Sequence, residues 1–217
     1  MNFPGTEKSV PAFKHIAFAL VLLAAPFPSA FADVADDYKD GLAAYRRGDV
    51  ASAMRPLKRA ADAGNAEAQA LYGTILDSAD FDDEATDYLR KAAEQGNPDG
   101  QYGLAKMYLT GEATAPDDGA VARLTRAAVA QGHPAATISL ALAYTRKDPR
   151  FGADTITPEA GELLVKAAEL GDVNAIEAVS TAYRTGEYGL QADAAKADQW
   201  AERLANIRGT KAGAKKK

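Results

Sequence analysis

The sequence predicts an all-α fold, a right-handed α-α superhelical solenoid of about five helix pairs. A basic residue, two alanines and soon a glycine recur four times along the 217 residues. The closing glycines lie 32, 36 and 39 residues apart, which is the period of stacked helix pairs. Aromatic residues make up only 8% of the chain, and its many alanines suit closely packed helices better than strands. The closing glycines are Gly64, Gly96, Gly132 and Gly171.

The first helix of each unit carries small and aromatic residues at fixed offsets. Counted from Gly100, Leu104 follows at +4 and Tyr108 at +8, and the copies that start at residues 136 and 175 repeat this spacing. Offsets of four and eight place side chains on one face of a helix. We therefore expect Tyr108, Tyr144 and Tyr183 to be buried at equivalent places in successive units.

The second helix of each unit repeats an apolar stripe wide enough to face a core. Glycine after the stripe predicts a left-handed helix stop, and Pro98 and Pro134 suit the first turn of the following helix. One copy of the stripe is Ala85, Tyr88, Leu89, Ala92 and Ala93. In the third unit the predicted stripe is Ala120, Leu124, Ala127 and Ala128.

The combined pattern is A-x-x-x-L-G/A-x-x-Y-x-x-G, followed by D-x-x-x-A-x-x-W/L-x-x-K/R-A-A-x-x-G. It resembles the Sel1-like repeat, a relative of the tetratricopeptide repeat with roughly 36 residues per unit. The resemblance covers nearly all of residues 33–207 and implies a solenoid, but it implies little about function. Ala79 and Lys147 stand where other units have a glycine. Residues 147–158 form an insertion, which is either a neutral loop or a binding element.

Residues 1–32 are predicted to be a signal peptide that is cleaved after Ala32. Lys8 and Lys14 precede an apolar run over residues 16–25, and Ala30-Phe31-Ala32 is a small-x-small cleavage site. The run has about half the length of a membrane-spanning helix, so we expect no stable membrane anchor; an uncleaved anchor is the alternative. The protein would then be periplasmic or secreted, with the solenoid over residues 33–207 and a disordered basic tail over residues 208–217.

Composition argues against several functional classes. Residues 33–207 hold 18 basic and 29 acidic residues, and a net charge of −11 disfavours nucleic-acid binding. The chain has no cysteine, and His133 is the only histidine after residue 32, so we expect no metal site and no catalytic residues. His133 is interpreted as a turn residue, and the acidic cluster over residues 80–84 as the start of a helix.

No nucleotide-binding glycine motif is present, so no cofactor is expected. The resemblance brings one enzymatic alternative, because some cysteine-rich relatives have been linked to β-lactam hydrolysis. This chain lacks their cysteines and any S-x-x-K motif, so we expect a protein without enzymatic activity.

By analogy with tetratricopeptide repeats, the first helices line a concave groove that binds a protein or peptide. Counted as above from the first small residue of each first helix, such as Gly100, the groove-facing positions are −1, +2, +6 and +9. The predicted groove residues are Lys39, Arg46, Glu67, Asp77, Asp99, Tyr102, Lys106, Thr145, Glu177 and Arg184. We expect recognition to be centred on Tyr102 and Lys106 in a monomeric adaptor or regulator of the cell envelope. The alternative is a structural envelope protein that holds peptidoglycan through the groove and the basic tail.

Overall fold

The computed structural model describes residues 29–111 and 115–214. Within these two ranges the chain forms ten α-helices, one turn of 3-10 helix over Pro149–Phe151, and no strand. The α-helices are α1 (Ser29–Arg46), α2 (Val50–Asp62), α3 (Ala66–Asp77), α4 (Asp82–Glu94), α5 (Pro98–Thr110), α6 (Asp118–Ala130), α7 (Pro134–Arg146), α8 (Pro158–Glu169), α9 (Val173–Thr185) and α10 (Ala194–Ala214).

The helices stack as five successive pairs. Each odd-numbered helix packs against the even-numbered helix that follows it, and each even-numbered helix up to α8 packs against the next odd-numbered one. In addition, α3 packs against α5 and α7 against α9, so the odd-numbered helices share one face of the stack. The predicted all-α superhelical solenoid is confirmed.

The helix ends follow from local sequence. The first helix of units two to five begins after a residue whose side chain accepts a hydrogen bond from the third backbone amide of the helix, at 2.7 to 3.0 Å. Pro98 and Pro134 occupy the first helical position, where the missing N–H costs nothing. The capping residues are Asn65, Asn97, His133 and Asp172.

The predicted tyrosine positions are confirmed. Tyr144 is fully buried, and Tyr108 and Tyr183 are half-buried against the same core cluster. Because small residues dominate the remaining helix contacts, the helices approach closely, and several glycines of the first helices lie directly against the preceding or following helix.

The buried stripe of α6 differs from the predicted one. Leu124 and Ala127 were expected in the core but are only half-buried. The residue after each turn glycine donates its backbone amide to a carbonyl oxygen near the end of the second helix: Asn97 donates to Ala92, and His133 donates to Ala128. Ala128 is therefore the structural counterpart of Ala92. The third unit therefore holds one more residue between its basic residue and its glycine, which rotates the stripe by one position. The buried residues of α6 are Ala120, Val121, Thr125 and Ala128.

This shift places a hydroxyl in the core, and it leads to a stability prediction. The Oγ1 atom of Thr125 is buried and has no hydrogen-bond partner within the described residues. Thr125→Val should raise the free energy of unfolding by about 1 kcal/mol, since the desolvation cost of an unsatisfied hydroxyl disappears. Urea denaturation followed by circular dichroism measures the change.

Thr137 supplies the matched control for Thr125. It is also buried, but its Oγ1 donates to the His133 carbonyl oxygen at 3.0 Å. Thr137→Val should therefore lower stability or leave it unchanged. Equal shifts in both variants would show that the missing hydrogen bond of Thr125 has no energetic effect.

The insertion packs into the solenoid. The ring of Phe151 is 5% exposed and Ala153 is fully buried. Arg126 of α6 donates to the Gly152 carbonyl oxygen at 3.4 Å. The Arg150 guanidinium, bonded to Asp148 at 2.7 Å, holds the pKa of that carboxyl below its usual range. The first half of the insertion is therefore part of the core between the third and fourth units.

The first and last described helices reach past residues 33 and 207. Residues 1–28, which hold most of the predicted signal peptide, lie outside the described residues, and α1 begins at Ser29. At the other end α10 continues through Ala214, into the segment over residues 208–217 that is predicted to be a basic tail. Alanine, lysine and arginine favour helix, and no proline stops the segment. Residues 215–217 lie outside the described ranges.

None of the described helices has the length and apolar character needed to cross a membrane.

Candidate functional site: the face of the odd-numbered helices

The predicted groove residues lie on the odd-numbered helices, as expected from their offsets. The structure gathers most of them at three separate cavities along this face. The three sets are Arg46, Glu67 and Asp99; Tyr102 and Lys106; and Glu177 and Arg184. Lys39, Asp77 and Thr145 line none of these cavities.

The first cavity lies between α1, α3 and α5, and we call it the N-terminal groove cavity. Its volume is about 330 Å³, enough for several side chains of a ligand. Two half-buried leucines and one half-buried tyrosine give it an apolar floor, and charged groups stand at its rim. It is lined by Tyr38, Leu42, Arg46, Glu67, Ala70, Leu71, Thr74 and Asp99.

Two charged groups of this cavity are unpaired. Arg46 and Glu67 are exposed, and neither forms an ion pair with any residue that the structure describes. Burial raises the pKa of the Tyr38 hydroxyl, and the nearby carboxylate of Glu67 adds to the rise. Tyr38 therefore remains a neutral hydrogen-bond donor at physiological pH, beside one free cation and one free anion.

The second cavity, around Tyr102, is almost filled. Its volume is about 30 Å³, room for roughly one water molecule. The Tyr102 hydroxyl bonds Ser139 Oγ of α7 at 2.7 Å, and Lys106 Nζ donates to Asp77 Oδ2 of α3 at 3.0 Å. Tyr102 and Lys106, on which recognition is predicted to be centred, thus also join neighbouring units.

His133 lies beside Tyr102, and its interpretation as a turn residue is confirmed. Its Nδ1 accepts the Ala136 amide at 3.0 Å as the N-cap of α7. Because Nδ1 is the acceptor, we assign the proton to Nε2, which donates to Asp99 Oδ1 at 3.0 Å. The ring lies 4.9 Å from the Tyr102 ring, so both ring nitrogens and one ring face are engaged within the fold.

The third cavity, of about 390 Å³, lies at the end of the solenoid between α9 and α10. Its predicted residues are already paired: Arg184 bonds Asp198 at 3.1 Å, and Arg208 bonds Glu177 at 2.8 Å. These pairs are exposed, so each contributes little to stability and can be displaced by a ligand.

Sequence reasoning missed the apolar part of this face. It kept mainly the polar residues at the groove-facing offsets and passed over apolar ones at the same offsets. The available signal was the offset itself, which does not depend on polarity. The missed apolar residues at these offsets are Ala70 in the N-terminal groove cavity and half-buried Leu109, Ile138 and Leu142 on α5 and α7. Leu42 also lines that cavity, although it lies at none of these offsets.

Among residues 29–111 and 115–214, no group of three or more histidine, cysteine, aspartate or glutamate side chains is arranged to hold a metal ion.

No family model and no curated protein matches the sequence. Solved structures do match. A protective antigen of uropathogenic Escherichia coli strains, displaying an SLR fold, has a TM-score of 0.68 at 22% identity over 82% of this chain. A Sel1 repeat protein from Oxalobacter formigenes has a TM-score of 0.64 at 25% identity over 84%. A putative Sel1 repeat protein from Klebsiella pneumoniae has a TM-score of 0.56 at 21% identity over 87%.

This chain spans 39% of the E. coli protein, 76% of the O. formigenes protein and 93% of the K. pneumoniae protein. The likeness extends over most of the solenoid, and it agrees with the helix pairs and the periodic glycines described above. The fold of this chain is therefore that of the Sel1-like repeat proteins.

Proposed function

We propose that this chain is an exported, non-enzymatic scaffold, periplasmic or secreted, that acts as an adaptor or regulator of the cell envelope. It recognises an extended segment of a protein partner on the face of its odd-numbered helices. The binding surface comprises the ten predicted residues and the apolar residues at the same offsets. Export rests on the sequence of residues 1–32, and the binding role rests on the fold and on this face.

The observation that carries the proposal is the N-terminal groove cavity. An open recess with an apolar floor and an unpaired arginine and glutamate at its rim suits a peptide segment, because each feature matches a different part of a peptide. Leu42 and Leu71 receive an apolar side chain, while Arg46 and Glu67 take opposite charges from the partner. Tyr38 supplies a rigid ring and a hydroxyl donor, which is typical of residues that dominate binding energy.

Arg46 and Glu67 also make a clean test possible, because no internal ion pair is lost when they change. The full chain, expressed in its own host, is used to capture its partner from the envelope fraction. We expect the Arg46→Glu, Glu67→Arg double variant to lose affinity for that partner about tenfold, as expected for central interface charges. Isothermal titration calorimetry measures the loss, and N-terminal sequencing of the bait reports cleavage after Ala32.

A charge-matched control keeps the net charge and reverses two exposed residues of even-numbered helices. Arg55 of α2 and Glu162 of α8 are exposed, and neither is in an ion pair of the described chain. Arg55→Glu with Glu162→Arg should bind the partner normally. If the groove variant and this control bind equally well, the odd-numbered face is not the binding surface.

A further inference from the structure

Glutamine side chains link the two helices of a unit at the turn side of the solenoid in units two and three, and we call this series of contacts the glutamine ladder. Gln95, the last residue before its turn glycine, donates through Nε2 to Gln69 Oε1 at 2.7 Å. Gln131, at the same place in the next unit, donates to Gln101 Oε1 at 3.0 Å and to the Gly96 carbonyl oxygen at 2.9 Å. In both cases a glutamine at the end of an even-numbered helix bonds a glutamine of the odd-numbered helix of its own unit, and Gln131 also bonds the Gly96 carbonyl of the unit before it.

The ladder stops at the fourth unit. Leu170 stands directly before its turn glycine, where Gln95 and Gln131 stand in their units. Thr137 lies four residues after its N-cap, as do Gln69 and Gln101. The Gly132 carbonyl, the counterpart of Gly96, accepts no hydrogen bond from any residue in the described ranges.

A cavity opens where the ladder is interrupted, and we call it the ladder-break cavity. Its volume is about 350 Å³, and the Leu170 side chain at its rim is 51% exposed. It shares no residue with the three cavities of the odd-numbered face. The lining residues are Val129, Gly132, Thr137, Lys166, Glu169 and Leu170.

Lys166 is the unpaired member of a repeated set of basic residues. Its counterpart Arg59 is ion-paired with Asp37, and its counterpart Lys91 lies 5.0 Å from the centre of the Tyr88 ring. Lys166 is exposed and makes neither kind of contact within the described chain. The ladder-break cavity therefore combines a free cation, a free carbonyl acceptor and an exposed apolar wall.

We propose that the ladder-break cavity binds a short extended peptide that presents a leucine-sized side chain next to a single carboxylate. The apolar side chain packs on Leu170 and Val129, a peptide N–H donates to the Gly132 carbonyl, and the carboxylate pairs with Lys166. Glu169 at the rim disfavours a second negative charge, so runs of acidic residues are excluded. This site is independent of the binding surface on the odd-numbered helices.

Nuclear magnetic resonance titration of the full-length, 15N-labelled chain tests the proposal. The probe is acetyl-Gly-Leu-Glu-Gly-amide, with acetyl-Gly-Leu-Gln-Gly-amide and acetyl-Gly-Gly-Glu-Gly-amide as controls. We expect saturable shifts of the Gly132, Lys166 and Leu170 amides with the probe, and affinity about fivefold or more weaker for each control. No shift at these amides, shifts confined to the N-terminal groove cavity, or equal affinity for all three peptides would overturn the proposal.

Restoring the ladder should close the site. In the Thr137→Gln, Leu170→Gln double variant we expect the probe's affinity to fall at least about tenfold, with no loss of thermal stability, because the neighbouring units already hold this pair. Lys166→Gln, a surface change that keeps the fold, should remove the preference for the glutamate peptide over the glutamine peptide. Unchanged affinity in the double variant, or an unchanged preference in Lys166→Gln, would contradict the site; if the double variant does not fold, Lys166→Gln decides alone.

Discussion

Tyr144→Ala is expected to lower the free energy of unfolding by about 4 kcal/mol, the range found for removal of a fully buried aromatic side chain. Tyr144 is among the largest fully buried side chains of the described chain and lies in the core shared by the third, fourth and fifth units. Its hydroxyl accepts from Arg126 at 3.0 Å and from Thr157 at 3.2 Å, and donates to Glu159 at 3.3 Å. The variant therefore loses both a packed ring and the hydrogen bonds that hold the insertion to α6 and α8.

Two further variants separate these contributions. Tyr144→Phe keeps the ring and should cost about 1 to 2 kcal/mol, because the hydrogen bonds from Arg126 and Thr157 lose their partner. Tyr45→Ala removes a tyrosine that is 38% exposed and should cost clearly less than Tyr144→Ala. Urea denaturation gives all three values. A loss for Tyr144→Ala no greater than that for Tyr45→Ala would contradict the core position of Tyr144.

Gly100→Ala is the second large expected effect, a loss of about 3 kcal/mol. A Cβ atom at Gly100 would lie 2.4 Å from Ala92 Cβ, 2.9 Å from the Ala93 nitrogen and 3.0 Å from the Ala92 carbonyl carbon. Two of these atoms belong to the backbone of α4, so the two helices must separate, and overpacking of this kind outweighs the gain of about 1 kcal/mol in helix propensity.

Gly103 on the same helix is the matched control. A Cβ atom there would meet only the Leu89 side chain, at 2.6 Å from Cδ2, and that end of a leucine can rotate away. Gly103→Ala should therefore cost less than Gly100→Ala by about 2 kcal/mol. Thermal and urea denaturation of the two variants measure this difference. Equal losses would mean that α4 and α5 adjust to added volume as easily as a side chain does.

The sequence predicts which residues lie on the candidate face, but it does not predict which of their side chains are free to bind a partner. The offsets correctly assign Arg46, Glu67 and Tyr102 to one face, because helical periodicity is a local property. They do not tell whether a side chain on that face is free. Tyr102 is engaged because Ser139, 37 residues later, lies within hydrogen-bond distance, and no pattern in the sequence of α5 contains that information.

Local sequence accounts for the helix ends, the repetition of the unit and the buried face of each helix. Capping residues, turn glycines and the apolar stripe act over a few residues, so their effects are visible in a single chain segment. The one-residue rotation of α6 also has a local signal, because five residues separate Arg126 from Gly132 where four separate Lys91 from Gly96. The predicted stripe was aligned on the Ala-Ala pair and did not use that count. The packing of the insertion, the open N-terminal groove cavity and the interruption of the glutamine ladder arise from contacts between helices that are far apart in the sequence. Those contacts exist only once the units are stacked, because each cavity is the space that the side chains of adjacent units leave unfilled.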